Sequence, residues 1–309
     1  MPTWPELVAE IDALPPDQGA HWLQQQIADW MRRLSIKRGD RNVLFYASAF
    51  LQKPQVQPMF SSIAAEDING IMSVIHGMNW ERGLTLVLHT PGGVTTAAET
   101  IGEYLLQKFN DIEVIIPTYA MSAGTMISLA ANRIVMGRVS QLGPIDAQLP
   151  VNGRFVSARA IVQQFERAKS EIVADPRAAA VWAPAMQQMG PALLQEAHLA
   201  LEYGESMVAR WLEKRHFAQH ATPKAKAEAV ATHFNRAEAH KSHGRRIDRN
   251  EARSQDLVVE DLEADQDLQE IVLTLYHLIT IMFEKTMAAK MIVNNLGKAW
   301  MKNINAAPV

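Results

Sequence analysis

Residues 84–105 read LTLVLHTPGGVTTAAETIGEYL, an apolar run that meets a Pro-Gly-Gly corner and continues in a helical pattern. A strand that ends in two glycines before a helix admits two readings. Gly92 and Gly93 either make an ordinary strand-to-helix turn, or they free backbone N–H groups beside a helix N-terminus, where a phosphate or an oxyanion can be held. In parallel α/β folds ligands collect at the carboxyl ends of the strands, which is where this corner lies.

The neighbouring sequence repeats the same rhythm. RNVLFYASAF (41–50) reads as a strand before it, followed by a helix in SSIAAEDINGIMSVIHGM (61–78). DIEVIIPTYA (111–120) reads as the next strand, then come the small-residue helix SAGTMISLAA (122–131) and a short strand, RIVMG (133–137). Strands alternating with helices in this way predict parallel βαβ units with right-handed crossovers. Residues 18–38 form an amphipathic pattern carried by Leu23, Ile27, Trp30, Met31 and Leu34. Beyond SQLGPIDAQLP (140–150) the pattern changes to long helices at 157–173, 191–217, 222–235 and 267–296, with the basic loop AHKSHGRRIDRNEAR before the last. The expected organisation is a helical segment over 1–40, an α/β core over 41–156, and a helical C-terminal region over 157–309 that completes the core and mediates assembly.

Composition sets the outer limits. With 309 residues, about half of them hydrophobic, the chain can bury one large core or two smaller ones. A formal charge of −3 supplies no dense basic face for nucleic acid. The absence of cysteine excludes disulfides, thiol nucleophiles and thiolate metal sites, and it suits a reducing compartment. The N-terminus MPTWPELVAEIDALPP is acidic and interrupted by prolines, unlike a signal peptide. The longest apolar run, IVLTLYHLITIMF (271–283), is far shorter than the ~20 residues needed to span a bilayer. A soluble, cytoplasmic chain without a membrane segment is expected.

Ser122 stands at the next strand-to-helix junction, in PTYAMSAGTMISLAA (117–131). A serine there either caps the helix or is a nucleophile whose hydroxyl the junction exposes, with the Ala123 N–H beside it for an oxyanion. Ala120, Ala123 and Gly124 keep its surroundings small. HTPGG (89–93), AMSAGTMISLAANRIVMG (120–137) and SQLGPIDAQL (140–149), in this order and at this spacing, resemble the Clp-protease and crotonase-like superfamily. Within it the chain is most similar to the serine dehydrogenase proteinases, related to signal peptide peptidase A. The similarity extends over about residues 42–260, with SHGRRIDRNEARSQDLV (242–258) resembling a late element of the peptidase A branch. The resemblance implies an α/β fold of the ClpP/crotonase ββα spiral type and a serine endopeptidase acting on peptide or protein. It also implies Ser122 as nucleophile, and an oxyanion hole at Gly92, Gly93 and Ala123, with Gly93 and Ala123 as its donors. A crotonase-like acyl-CoA enzyme and an inactive oligomeric scaffold share the fold and stand as alternatives.

A serine needs a base. The Clp pattern supplies a histidine downstream, but GPIDAQLPVNG (143–153) contains none. The peptidase A branch uses a lysine, and the sole lysine between Ser122 and Lys214 is Lys169. On a helical projection with Ile161 at zero, Lys169 falls at about 80°, near Phe165 and Val162 and within the apolar face. It either snorkels to solvent or is desolvated into a neutral amine that can take the serine proton. His89 is placed to touch substrate or to satisfy a local bond, and Asp146 to orient neighbours or shape a turn. His216 and His220 have helical i, i+4 spacing but lack the glutamate of a zinc-protease motif, so no metal is expected, and no cofactor. His240 and His243, in the basic loop, are expected to be solvated or to contact a neighbouring subunit. The long C-terminal helices point to a homo-oligomer.

Overall fold

A computed structural model describes residues 2–190, 192–236 and 240–304. The chain divides into two compact units, one of residues 1–142 with 246–309 and the other of residues 143–245. The first carries the α/β core. Strands β1 (Asn42–Ser48), β2 (Leu84–His89), β3 (Ile112–Ile116) and β5 (Arg133–Met136) run parallel in that order, and β9 (Val259–Asp261) joins β5 in parallel. β10 (Ala288–Asn294) pairs antiparallel with β1, and β11 (Ala299–Asn303) with β10.

β1, β2 and β3 are buried along their whole length, because helices cover both faces of the sheet and leave no polar side to alternate. The pleat sends Phe45, Val87, Ile115 and Val135 to one face. There they pack with Leu23, Ile27, Met31 and Leu34 of α2 (Gly19–Lys37), and with Leu275, Leu278 and Met282 of α12 (Gln266–Lys285). On the other face Tyr46, Leu86 and Leu88 meet Ile71 of α4 (Asp67–Ile75), Ile101 and Leu105 of α5 (Thr95–Lys108) and Ile127 of α6 (Ala123–Leu129).

A second, rudimentary layer lies past the ends of the long strands. β4 (Tyr119–Ala120) pairs in parallel with β6 (Gln141–Leu142), and single bridges join Ile63 to Gly93, Thr90 to Ala120 and Leu142 to Ile247. Each long strand thus passes into a short one, and β1, β2 and β3 then lead into a helix, which is the ββα repeat of a ClpP-like spiral.

The C-terminal part differs from the expected helical region. The segment expected to be helical to residue 296 leaves its helix at Lys285, and residues 288–303 form the β10–β11 hairpin. Its turn, Asn294-Asn295-Leu296-Gly297, has Gly297 at φ +80°, a stop signal within an apolar run too short for periodicity to separate strand from helix. The C-terminal segment therefore supplies sheet strands to the first unit.

The second unit begins after Leu142, earlier than the expected boundary. It contains the hairpin β7 (Gln148–Val151) and β8 (Arg154–Ser157), joined by Asn152 and Gly153, both at positive φ as a tight two-residue hairpin turn requires. Helices α7 (Ala158–Ala174), α8 (Ala179–Met189), α9 (Leu193–Lys214) and α10 (Pro223–Asn235) follow. Ala158, Ile161, Leu193, Ala197 and Leu201 form its core, with Leu149, Val156 and Phe165 packed against them.

Candidate active site

The corner after β2 and the turn before α6 lie against each other. Thr90 N–H donates to the Tyr119 carbonyl at 2.9 Å, and Met121 N–H to the Thr90 carbonyl at 3.1 Å. Gly92 has φ +101°, and a Cβ there would come within 2.6 Å of the Ser122 Cβ and 2.7 Å of the Met121 carbonyl oxygen. At Gly93 a Cβ would come within 2.3 Å of the Ile63 carbonyl oxygen. Both glycines are therefore required by close approach of backbone on either side.

The corner's N–H groups divide by partner. Gly92 N–H donates to Thr90 Oγ1 at 3.2 Å, so this glycine, expected in the oxyanion hole, keeps its N–H for its own loop. Ile63 N–H donates to the Gly92 carbonyl at 2.8 Å, and Val94 N–H to the Ile63 carbonyl at 2.9 Å. A parallel bridge of this kind turns the N–H of Gly93 to the opposite side. Among the described residues neither Gly93 N–H nor Ala123 N–H has a hydrogen-bond partner.

Ser122 has φ +51° and ψ −116°, close to the first central position of a type II′ turn, which glycine normally fills. The turn closes by the Gly124 N–H donating to the Met121 carbonyl at 2.8 Å. Strain of this kind costs about 1–3 kcal/mol in a residue with a Cβ and persists where the surroundings impose it. The hydroxyl does not cap α6 and has no hydrogen-bond partner among the described residues. The ordinary role of a serine at this position is thus not the one it plays.

His89 does not reach the surface of its unit. Its ring is 0% exposed among Phe50, Tyr119 and Tyr276, with Nδ1 2.8 Å from Thr118 Oγ1 and Nε2 without a partner. Burial pushes its pKa down to about 3, so it stays neutral. It packs beneath the corner rather than touching substrate.

In the second unit the side chains arrange themselves differently from expectation. Asp146 is 2% exposed, accepting from Gln148 Nε2 at 2.8 Å and pairing with His243 Nδ1 at 2.7 Å. A carboxylate only accepts, so in this pair the proton lies on His243 Nδ1. His243, expected to be solvated, is instead held in a histidine–carboxylate pair. His240 is buried, with Nε2 2.8 Å from the His233 carbonyl oxygen and Nδ1 3.0 Å from Arg245 Nη1. His216 and His220 lie beyond the end of α9 with Phe217 between them, so their spacing is not helical. Among the described residues no group of three or more histidines and carboxylates could hold a metal.

Lys169 corrects the helical projection. The buried face of α7 is the narrow stripe of Ala158, Ile161 and Ala168. At the edge of that stripe the long stem of Lys169 extends outward, 76% exposed and 4.0 Å from Glu166. Within its unit this amine lies in solvent rather than on the apolar face.

The corner thus sets a strained serine with an unbonded hydroxyl against two N–H groups without partners among the described residues. Residues 12–201 fit the ClpP-like SDH-type serine proteinase family. The chain belongs to that family. Two uncharacterized proteins of Methanocaldococcus jannaschii are similar to it in part. MJ0137 is 40% identical over 92 residues, 30% of this chain and 32% of that protein. MJ1495 is 36% identical over 118 residues, 38% of this chain and 39% of that protein. The matches span about a third of the length of MJ0137 and about two fifths of that of MJ1495. Among solved structures, a serine-to-alanine mutant of the 1510-N membrane-bound stomatin-specific protease is 17% identical, covering 74% of this chain and 83% of that one. Its TM-score of 0.33 is too low to carry an argument. Among the described residues of this SDH-type proteinase, no helix is long and apolar enough to cross a membrane.

Proposed function

We propose that the chain is a serine endopeptidase in which Ser122 is the nucleophile, Gly93 and Ala123 donate to the oxyanion, and a general base takes the serine proton. The observation that carries this is Ser122 itself: a non-glycine residue at φ +51° whose hydroxyl neither caps its helix nor bonds elsewhere among the described residues. Such strain is retained where chemistry needs the side chain presented at a strand-to-helix junction.

In this reading Ser122 Oγ attacks the scissile carbonyl carbon while its proton passes to a general base. The carbonyl oxygen gains the negative charge and accepts from the N–H groups of Gly93 and Ala123, with the positive end of α6 behind it. Collapse of the tetrahedral intermediate breaks the C–N bond, and the base returns the proton to the leaving amine. Water, deprotonated by the same base, then releases the acyl group from Ser122. Lys169, the base the resemblance implies, and His243, held by Asp146, are the two side chains to test for that role.

The substrate is proposed to be peptide or protein, and the working form a homo-oligomer. Helix α8 supports the second point, being rich in apolar residues while burying none of them, with Val181 78% exposed.

A fluorophosphonate probe tests the assignment. Labelling confined to Ser122 and lost in Ser122→Ala is the expected pattern. A wild-type protein that does not label favours an acyl-CoA enzyme or a scaffold. Loss of labelling in Lys169→Met with retention in His243→Ala gives the base role to the lysine, and the reverse gives it to the histidine.

A further inference from the structure

Behind the corner lies a charged cluster that the catalytic reading does not use. Lys290, on β10, is wholly buried, as is Asp67 at the start of α4. Lys290 Nζ donates to Asp67 Oδ1 at 2.5 Å and to the Ser62 carbonyl at 2.9 Å. Tyr46 Oη, on β1, donates to Asp67 Oδ2 at 2.7 Å, and the backbone N–H of Ala64 donates to the same oxygen at 2.9 Å. The cluster therefore grips the chain at Ser62 and at Ala64. Between those two points lies Ile63, whose N–H and carbonyl make the two bonds that bracket Gly93.

A buried ion pair is weak evidence for stability, since apolar residues of similar volume often serve as well. What this pair does that apolar residues cannot is bond the backbone on both sides of Ile63. We infer that Asp67 and Lys290, with Tyr46, are positioning residues that clamp Ile63 against the Gly92–Gly93 corner and so fix the direction of the Gly93 N–H. The carboxylate anchors Ala64 and the ammonium anchors Ser62. Each holds the other directly, and α4, β1 and β10 supply one side chain apiece. The corner's geometry is thus tied to the antiparallel strand added by the C-terminal segment.

The catalytic consequence rests on the serine peptidase reading, and the clamp itself does not, so the experiment reads the two separately. The variants are Tyr46→Phe, which removes one hydroxyl, and the double variant Asp67→Asn with Lys290→Met. The double change removes both charges together, leaves no unpaired ion and preserves volume. Amide hydrogen exchange is followed at Ile63 and Val94, with Leu86 in β2 as internal control, and inactivation by a fluorophosphonate is resolved into its binding constant and its rate at saturation. The expected result is faster exchange at Ile63 and Val94 with Leu86 unchanged. The saturating rate of inactivation should fall by about tenfold or more with binding unaltered, since a misaimed oxyanion donor weakens the transition state rather than the encounter. Tyr46→Phe should show the same pattern more weakly. Wild-type exchange at Ile63 and Val94 in the double variant overturns the clamp, whether or not the protein reacts with the probe. Faster exchange with an unchanged saturating rate overturns its positioning role. If the wild type does not react, the peptidase reading fails, and exchange alone then decides the clamp.

Discussion

At the scale of single residues the backbone of Ser122 says more than its neighbours in sequence do. Its φ of +51° and ψ of −116° suit glycine, and no cap bond offsets the strain. Ser122→Gly should therefore raise the midpoint of thermal unfolding, by a free-energy gain on the order of 1 kcal/mol, while abolishing peptide hydrolysis. Ser122→Ala, which keeps the Cβ and loses no hydrogen bond, should unfold with the wild type and be equally inactive. A Ser122→Gly protein less stable than Ser122→Ala would show that the turn is unstrained, and calorimetry on the three proteins settles it. The candidate nucleophile was legible in sequence, because a strand, a small-residue turn and a helix are local patterns. Whether its hydroxyl capped the helix was not, because that depends on a backbone angle no residue type specifies.

Among the elements, the sheet's two ends do different work. The carboxyl ends of β2 and β3 carry the corner and the serine. The opposite rim carries a charge network in which Glu113, wholly buried on β3, accepts from Arg38 Nε at 2.8 Å, Arg133 Nε at 3.1 Å and Thr85 Oγ1 at 2.5 Å. Burial alone would raise the Glu113 carboxyl, but the bonds from Arg38 and Thr85 outweigh it and hold it below its ordinary value of 4.5. A carboxylate that titrates lower when folded contributes stability above its unfolded pKa and loses it as pH falls through the folded one. Glu113→Gln should destabilise the protein by roughly 2–4 kcal/mol at neutral pH, by leaving two arginines underpaired. That gap to wild type should narrow on acidification below pH 4.5. Denaturant unfolding of both proteins between pH 7 and 3 measures it, and a gap that stays constant with pH would remove the ionised carboxylate from the account. The four parallel strands β1, β2, β3 and β5 and the helices between them were readable in sequence, and β9 was not. The β10–β11 hairpin was not, because an apolar run next to a long helix looks like its continuation until Asn294 and Gly297 are seen to turn the chain.

For the whole molecule the proposed homo-oligomer is the property to measure. Light scattering at micromolar concentration should give a multiple of the 34.4 kDa chain, and Val181→Asp on α8 should lower that multiple, because a charge placed in an apolar contact is costly to desolvate. A monomeric wild type would end the proposal. The amino-acid order alone determines the alternation of strand and helix, the glycine corner, the serine junction and the family, since each is written within a few dozen consecutive residues. It does not determine which distant groups meet. Asp146 and His243 are 97 positions apart, and Asp67 and Lys290 are 223 apart. In sequence Lys290 reads as one more lysine of the last helix, and Lys169 falls on the apolar face of a helical wheel, yet the first is wholly enclosed in a strand and the second is in solvent. Burial and pairing of charge are properties of packed surroundings, supplied by elements far along the chain, and only the folded structure brings those elements together.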